Sequence, residues 1–349
     1  MNRAIILLLS FLLLLSSAVV AEIMFRTNTV WNYALWEQCD ITTLPKHEKL
    51  TPEVFYPGEI FSFKMENYGS IENGDIIWIP CGSLGAFKDK MFPSLKQSVV
   101  LLIGGGDASF PDECTWAPAE DNEKFISGSR IIHFFVMNSV YLGNSTKVTN
   151  VPIGIDFHTK AYKQGKNGPS VAKQESVLSN VIAGAPPLLK RKLRIYSDFQ
   201  HSDSLGRSTF VRKKIAGGEN RTTIFKKIND TGLVEYSKHR MDRLALWKVK
   251  SGYAFSVSPW GNGIDCHRTW EDLALGMIVI VKTSPLDSMY EGLRVVIVQE
   301  WTDISIHNLH LWLKKFEEMK PSYSERLTNS YWWNKIQTAA LPFKNKTHS

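Results

Sequence analysis

The sequence has little cysteine, and its few cysteines are not spaced for metal binding. Four occur in 349 residues, with no CxxC pair and no Cys/His cluster at zinc spacing. A structural zinc site is therefore not expected. Four cysteines allow up to two disulfides in three connectivities. We expect one disulfide among Cys39, Cys81 and Cys114, with Cys266 reduced in the core.

The sequence also lacks a dense basic stripe, a P-loop and any visible internal repeat. The 41 Lys and Arg residues against 34 Asp and Glu residues give a formal net charge of +7. This mild excess suits anionic ligands such as nucleotide diphosphates, and no nucleic-acid partner is predicted. The glycines at 104–106 do not form a P-loop, because no GK[ST] follows them. With 44% hydrophobic and 21% charged residues the chain has a globular composition, and it is long enough for two domains.

An uncharged apolar run at the N-terminus indicates the compartment. It extends from Ala4 to Ala21, and Val19 and Ala21 occupy the −3 and −1 positions of a signal-peptidase site. We expect residues 1–21 to be a signal peptide; the alternative is a retained anchor, since about 18 apolar residues approach the length of a membrane span. Either way, residues 22–349 are predicted to lie in the secretory pathway, in the Golgi or ER lumen, or outside the cell. Membrane contact is expected only through an uncleaved N-terminal segment.

Four N-x-Ser/Thr sequons agree with this placement. They are at Asn144, Asn220, Asn229 and Asn345.

Short apolar runs alternate with helical patterns along the chain, which predicts an α/β fold. Several runs are continuously apolar, as is typical of strands covered on both faces in a parallel sheet. The predicted strands are Asp75–Ile79, Ser98–Ile103, Ile131–Val136, Arg194–Phe199, Tyr253–Ser258, Met277–Lys282 and Val295–Gln299. The predicted helices are Ser208–Ala216, Arg240–Lys250, His267–Leu275 and Ile306–Met319, with an aromatic segment Ser322–Gln337 expected to pack back on the body.

A stretch rich in Gly, Pro, Ser and Lys interrupts this pattern at Tyr162–Lys192. It includes the polar segment Gln174–Ser179, which we interpret as part of a linker. The sequence therefore predicts an N-terminal α/β domain at 22–185 and a C-terminal domain at 186–349.

The segment SPWGNGIDCHRTWEDLALGMIVIVKTS, residues 258–284, predicts a ligand site. A strand is expected to end at Ser258, and a helix to start at Cys266 or His267 with Asp265 as its cap and to end at Gly276. Ligands of open α/β sheets lie outside the carboxyl ends of the strands, where glycines permit close backbone approach and a helix N-terminus suits phosphate.

Seven residues of this segment are predicted to bind the ligand. They are Gly261, Asn262, Gly263, Asp265, His267, Arg268 and Glu271. An alternative is a purely structural β-loop-α joint, in which Arg268 and Glu271 form a surface salt bridge.

The same segment resembles the donor-binding signature of exostosin-like glycosyltransferases, the family-47 group and its relatives. In that signature a glycine-rich loop leads to an Arg, a Glu-Ala-Leu helix, a Gly and an Ile-Pro-Val-Ile strand. Asp272 stands where Ala is usual, and Val279 where Pro is usual. The segments LIGGGDASFP, NVPIGIDFHT and TNSYWW also look like parts of small exostosin-like proteins, including the ribitol-phosphate xylosyltransferase type. The matching positions of the signature are Arg268, Glu271, Leu273, Gly276, Ile278 and Ile280.

The resemblance implies a GT-B fold, in which two Rossmann-like domains face each other across a cleft and the C-terminal one holds the donor. It further implies an inverting transfer from a nucleotide sugar, a UDP-sugar rather than a GDP-sugar, to a hydroxyl of a glycan or glycoconjugate. No cofactor is required. Divalent metal is left open: Arg and a helix N-terminus can stabilise the departing diphosphate, no DxD pair is conspicuous, and no metal ligand is predicted.

A diphosphate-binding arginine is also implied by the resemblance. Arg212, in SLGRSTFVRKK, stands where the family places it, and Arg207 is the second choice; the alternative for both is a solvated helix face. Trp260 is a candidate for stacking on a base or sugar, or for a packed aromatic.

A general base is needed to activate the acceptor hydroxyl. The first candidate is Asp107 in GGGDAS, after the SVVLLI strand, with an ordinary helix cap as the alternative. Asp156 and His158 in GIDFH form the second candidate pair, beside the expected interdomain cleft.

Three other functions remain open at this point. One is a fucosyltransferase-like GT-B enzyme that uses a guanine nucleotide sugar. Another is a catalytically silent carbohydrate-binding relative. The third is a secreted glycoside hydrolase, which would need two carboxylates across a sugar-binding cleft.

Overall fold

The computed structural model describes residues 27–43, 65–159, 169–201, 219–317, 319 and 321–344. In this part of the chain nine strands form two sheets, and every strand pairing within them is parallel. The parallel sheets that the continuous apolar runs predict are therefore present.

The first sheet has four strands in sequential order, β1-β2-β3-β4. Ile76 of β1 lies opposite Val100 of β2. Side chains of β2 alternate between two apolar clusters, Val100 in one and Leu101 in the other, and both are fully buried. Coverage on both faces explains why the strand is apolar at every position. The strands are β1 (Ile76–Pro80), β2 (Val99–Gly104), β3 (Ile131–Val136) and β4 (Val148–Asn150).

The second sheet has five strands in the order β6-β5-β7-β8-β9. Phe255 of β7 lies opposite Ile278 of β8. Ile278 and Val279 face different apolar clusters, so this sheet too is covered on both sides. The strands are β5 (Lys192–Tyr196), β6 (Val234–Glu235), β7 (Tyr253–Val257), β8 (Ile278–Lys282) and β9 (Val295–Val298).

Ten α-helical segments lie around the sheets in the described residues. They are α1 (Asn32–Trp36), α2 (Leu84–Ala86), α3 (Asp112–Thr115), α4 (Ala119–Ser127), α5 (Val171–Ala183), α6 (Arg221–Asn229), α7 (Arg243–Lys250), α8 (His267–Ala274), α9 (Ile306–Glu317) and α10 (Asn329–Lys344). The predicted helix Ser208–Ala216 lies outside the described residues.

Two expected elements differ from the structure in ways that matter for the site. Strand β5 ends at Tyr196 instead of Phe199, because Asp198 leaves the sheet to form ion pairs. The segment interpreted as a linker, Gln174–Ser179, is part of helix α5. Ser170 caps this helix by accepting a hydrogen bond from Lys173 N at 3.2 Å, and α5 packs against α7.

The C-terminal helix returns to the first sheet. Helix α10 contacts β1, β2 and β3 and buries Trp332 and Ile336. The expectation that the aromatic C-terminal segment packs on the body is confirmed, although the helix extends to Lys344. One apolar cluster thereby runs from Trp78 of the first sheet through Trp332 to Val279 of the second.

The predicted α/β fold class is confirmed, since the described residues form two parallel sheets with helices around them. Hydrogen bonds join the two halves of the chain; in one of them Asn150 Nδ2 donates to Pro285 O at 2.8 Å. The division at residue 185 stays a prediction.

The expected disulfide is confirmed as Cys81–Cys114, and Cys39 and Cys266 are free. Among the described residues no helix is both long and apolar enough to span a bilayer. The predicted leader, residues 1–21, lies outside them.

Candidate functional site

A cleft of about 1100 Å³ opens at the carboxyl ends of β5 and β6. The connection after β5, the loop before α7 and the first turns of α8 form most of its wall, and the segment after β4 adds one side. Its lining includes Asp156, Asp198, Phe199, His201, Arg243, His267, Arg268 and Glu271. This is the edge of a parallel sheet where ligands bind.

Arg268 is a largely buried cation in the wall of this cleft. Its Nε lies 2.9 Å from Asp198 Oδ1, and its side chain is 15% exposed. One terminal nitrogen donates to Ser258 Oγ at 3.2 Å, and the guanidinium carbon lies 5.7 Å from the centre of the Phe199 ring. The guanidinium is thus held in one orientation beside the cleft, with N–H groups suited to an oxyanion.

A fully buried lysine, Lys250, pairs with the same Asp198 carboxylate. Lys250 Nζ lies 2.7 Å from Asp198 Oδ2 and also pairs with Asp272. Burial raises the pKa of the Asp198 carboxyl, but Lys250 and Arg268 outweigh it and the net pKa is lowered. Burial raises the pKa of Asp272. Asp272, which departs from the usual Ala of the exostosin-like signature, is therefore explained here as the partner of Lys250.

Glu271 lies one position before Asp272 and lines the cleft. The residue is 8% exposed, and its Oε2 accepts a hydrogen bond from Trp247 Nε1 at 3.3 Å. The alternative considered from the sequence was a surface salt bridge between Arg268 and Glu271. In the structure Arg268 pairs with Asp198 instead.

The glycine loop before α8 meets the first half of the chain. Gly261 N donates to Gly263 O at 2.9 Å, and Asn262 Nδ2 donates to Asp107 Oδ2 at 3.2 Å. At Gly263 a Cβ would lie 2.6 Å from the Asn138 side-chain oxygen, so the loop needs glycine there for the close approach. Two predicted groups, the loop and the candidate base Asp107, are thus brought into contact.

Asp265 is placed differently from the other loop residues. The helix begins at His267 with Cys266 at the N-cap and no side-chain cap, so the expectation that Asp265 caps it is wrong. Its carboxylate accepts from Ile153 N at 3.0 Å and from Trp270 Nε1 at 2.9 Å. Burial raises its pKa to about 6. Asp265 is buried and ties the two halves together; its predicted role in ligand binding stays a prediction.

Asp156, His158 and His267 converge at the side of the cleft. Asp156 Oδ1 lies 3.1 Å from His158 Nδ1 and Asp156 Oδ2 lies 3.2 Å from an Arg243 nitrogen. Although burial opposes ionisation, His158, His267 and Arg243 lower the pKa of Asp156 to about 2. Burial lowers the pKa of His158 to about 4.

Arg221 is a basic residue that the sequence reasoning missed. Its Nε donates to Trp260 O at 2.9 Å and its guanidinium carbon lies 5.6 Å from the Phe199 ring centre. The sequence signal was a positive residue at the first position of a helix, which the helix dipole disfavours. The predicted Arg212 and Arg207 lie outside the described residues.

Two further aromatic side chains contact His201, which lines the cleft. His201 stacks on Phe225 with ring centres 3.6 Å apart and an interplanar angle of 11°, and Tyr236 approaches His201 edge-on at 4.9 Å. Trp260 is buried in the core of the second sheet, the packed alternative considered from the sequence.

Comparisons with known proteins found solved structures of low similarity to this chain. No family model and no curated protein matches the chain. A UDP-forming trehalose-phosphate synthase from Burkholderia vietnamiensis is 13% identical, with 84% of this chain and 80% of that chain covered and a TM-score of 0.35. A sucrose-phosphate synthase from Thermosynechococcus elongatus is 11% identical, with 85% and 80% covered and a TM-score of 0.40. Because these TM-scores and identities are low, the assignment of a function rests on the geometry of the cleft.

Proposed function

We propose that this chain is an exostosin-like glycosyltransferase that transfers a sugar, with inversion, from a nucleotide-sugar donor to a hydroxyl of a glycan or glycoconjugate. One observation carries the proposal: Arg268 and Glu271 face the same cleft from the start of α8, at the carboxyl edge of a parallel sheet. A guanidinium there can bind a diphosphate, and a carboxylate can accept hydrogen bonds from ribose or sugar hydroxyls.

The donor that we propose is a UDP-sugar, as the exostosin-like resemblance implies. Phe199 is buried, and we propose that the half-buried ring of His201, which lines the cleft, stacks on the base. Arg268 would stabilise the charge that develops on the departing diphosphate, with Arg221 on the same Phe199 ring as a second cation.

Asp107 is the general base of this proposal. It is exposed, and it contacts the donor-side loop through Asn262. Asp156 is less suited to the role, because a carboxyl with a pKa of about 2 that already pairs with Arg243 is a weak base. Asp156 and His158 would instead shape the side of the cleft.

The proposed compartment is the secretory pathway. The disulfide Cys81–Cys114 supports it, since structural disulfides persist in oxidising compartments. Asn144 and Asn229 are exposed sequons, and we expect glycans on both. Expression in secretory cells followed by glycosidase treatment and peptide mapping tests this; a chain with unmodified sequons and reduced Cys81 would contradict the placement.

The decisive experiment is thermal melting of the purified protein with UDP, GDP or CMP. A ligand at ~100 times its Kd stabilises the folded state by roughly 2.7 kcal/mol. We expect a shift with UDP that Glu271→Gln loses; glutamine can still accept the hydrogen bond from Trp247 Nε1, so the fold is preserved. Glu120→Gln, on the exposed face of α4, is the control and should retain the shift.

Each alternative function has its own outcome in this experiment. A shift with GDP alone would favour the fucosyltransferase-like enzyme. Binding of UDP without transfer to any glycan acceptor would favour the silent carbohydrate-binding relative. Absence of a shift with every nucleotide and nucleotide sugar would contradict the proposed function and favour the glycoside hydrolase.

A further inference from the structure

Three side chains that bind metals in proteins lie together beside the cleft. Asp156 and His158 follow β4, and His267 is the first residue of α8. One potential ligand atom from each lies within 4.8 Å of the other two, and all three residues are half-buried. The two imidazole ring centres are 5.3 Å apart. The cluster is formed by tertiary contact, since His267 is more than 100 residues from the other two in sequence.

A contact with the backbone fixes the ring of His267. Its Nδ1 lies 2.7 Å from the carbonyl oxygen of Gly154. A carbonyl oxygen only accepts, so Nδ1 carries a proton, and in the neutral imidazole the lone pair is then on Nε2. Histidine ligands of metal ions commonly donate their other N–H to a backbone carbonyl, which fixes the ring and the tautomer.

The other two residues are also held in place. Asp156 Oδ1 accepts a hydrogen bond from Thr159 N at 2.8 Å, while Arg243 pairs with Oδ2. His158 Nδ1 is buried next to Asp156 without hydrogen-bond geometry. A ring nitrogen and a carboxylate therefore face each other at 3.1 Å, close to the spacing of about 3.3 Å between two ligands that each bind zinc at about 2 Å in a tetrahedron.

We propose that Asp156, His158 and His267 bind a divalent transition-metal ion of the zinc class. Two imidazole nitrogens and one carboxylate are the ligands such an ion prefers, and three protein ligands leave a position open toward the cleft. Arg243 neutralises Asp156, so the cluster lacks the excess of oxygen ligands and negative charge that Mg²⁺ or Ca²⁺ needs. The proposal goes beyond the proposed function and does not depend on nucleotide binding.

A titration of the chelator-treated full chain with Co²⁺, followed by Zn²⁺, tests the site without any activity assay. Co²⁺ reports its coordination through visible absorption, and calorimetry gives the stoichiometry. We expect one equivalent of Co²⁺ per chain, displaced by Zn²⁺ and not by Mg²⁺. Separate His158→Gln and His267→Gln variants should each bind roughly tenfold or more weakly, by analogy with the loss of groups that support a metal site.

His133→Gln is the matched control, because His133 lies on β3 and bonds to Thr149 instead of joining the cluster. It should bind Co²⁺ as the wild type does. A cooperative melting transition shows that a variant is folded. If His158→Gln or His267→Gln does not fold, His158→Asn or His267→Asn is tested in its place. The proposal is overturned if the wild type takes up no stoichiometric ion, or if both histidine variants bind with unchanged affinity.

Discussion

Lys250 and Asp198 form an ion pair inside the protein, with Nζ 2.7 Å from Oδ2 and the lysine side chain fully buried. On its other side the same ammonium pairs with the buried Asp272. Since Asp198 also holds Arg268 at the cleft, Lys250 links the interior of the second sheet to the candidate site. Buried charges are costly unless they are paired, so losing one partner leaves the others uncompensated.

Lys250→Met should therefore lower the free energy of unfolding by about 3–5 kcal/mol, measured by urea denaturation. Lys226→Met is the control, because Lys226 pairs with Asp230 on an exposed surface at 2.7 Å. Exposed pairs contribute only about 0–1 kcal/mol. Equal effects of the two substitutions would contradict the assignment of Lys250 as the centre of a buried network.

A second substitution should recover part of that loss. In the double variant Lys250→Met with Asp272→Leu, the buried carboxylate without a counter-ion is removed, while Asp198 keeps Arg268 as its partner. We expect the double variant to be more stable than Lys250→Met alone. If it is less stable, the two residues do not interact as a pair.

The disulfide should contribute measurably to stability. Cys81 and Cys114 are 33 residues apart, and closing a loop of that size stabilises a fold by about 3–4 kcal/mol in the chain-entropy account. The double substitution Cys81→Ser with Cys114→Ser should lower the free energy of unfolding by that amount. Alkylation of the denatured, unreduced wild type should label two thiols, on Cys39 and Cys266; four labelled thiols would show that the bond is absent.

His133 should make stability depend on pH. Burial, with Lys335 and Lys147, lowers its pKa to about 4 from the ordinary histidine value of 6.5. As the pH falls, the unfolded chain binds the His133 proton before the folded chain does. The free energy of unfolding is therefore highest above pH 6.5 and decreases as the pH drops toward 4. His133→Gln should lose this part of the pH dependence between those limits. Parallel stability curves for the wild type and the variant would contradict the shifted pKa.

Asp107→Asn tests the proposed base apart from donor binding. Asn262 contacts Asp107 at the surface, so the substitution should leave the fold and the nucleotide-induced melting shift intact. Transfer to acceptor should fall by about 100-fold or more, the usual range for loss of a general base. Transfer at the wild-type rate would leave Asp107 as a structural contact of the loop.

The local elements around the site could be predicted from sequence because they depend on neighbouring residues. Helix α8 begins at His267 as expected, and Gly276, with φ of +76°, follows its end. Glycine tolerates this left-handed backbone, so the pattern indicates the helix end directly. The prediction that Asp265 caps the helix was wrong, because its carboxylate accepts hydrogen bonds from Ile153 N and Trp270 Nε1 instead.

The polar helix α5 could not be recognised from composition. Its sequence is polar at Gln174, yet Gln174 is buried and donates to Phe157 O at 2.9 Å while Arg243 donates to it at 2.8 Å. These partners lie 17 and 69 residues away. A polar side chain buried by distant partners has the same local signature as an exposed one in a linker.

By itself the sequence determined the α/β class, the parallel strands, the helix that carries Arg268 and Glu271, and the group of cysteines from which the disulfide forms. Periodicity, apolar runs and helix-ending glycine act over a few residues, so they can be seen in the sequence. Only the tertiary structure decided that Lys250 lies between Asp198 and Asp272, and that His267 joins Asp156 and His158. Such contacts arise when segments distant in sequence pack together, within the second half of the chain for Lys250 and between the two halves for His267. Their energies depend on burial that no local pattern records.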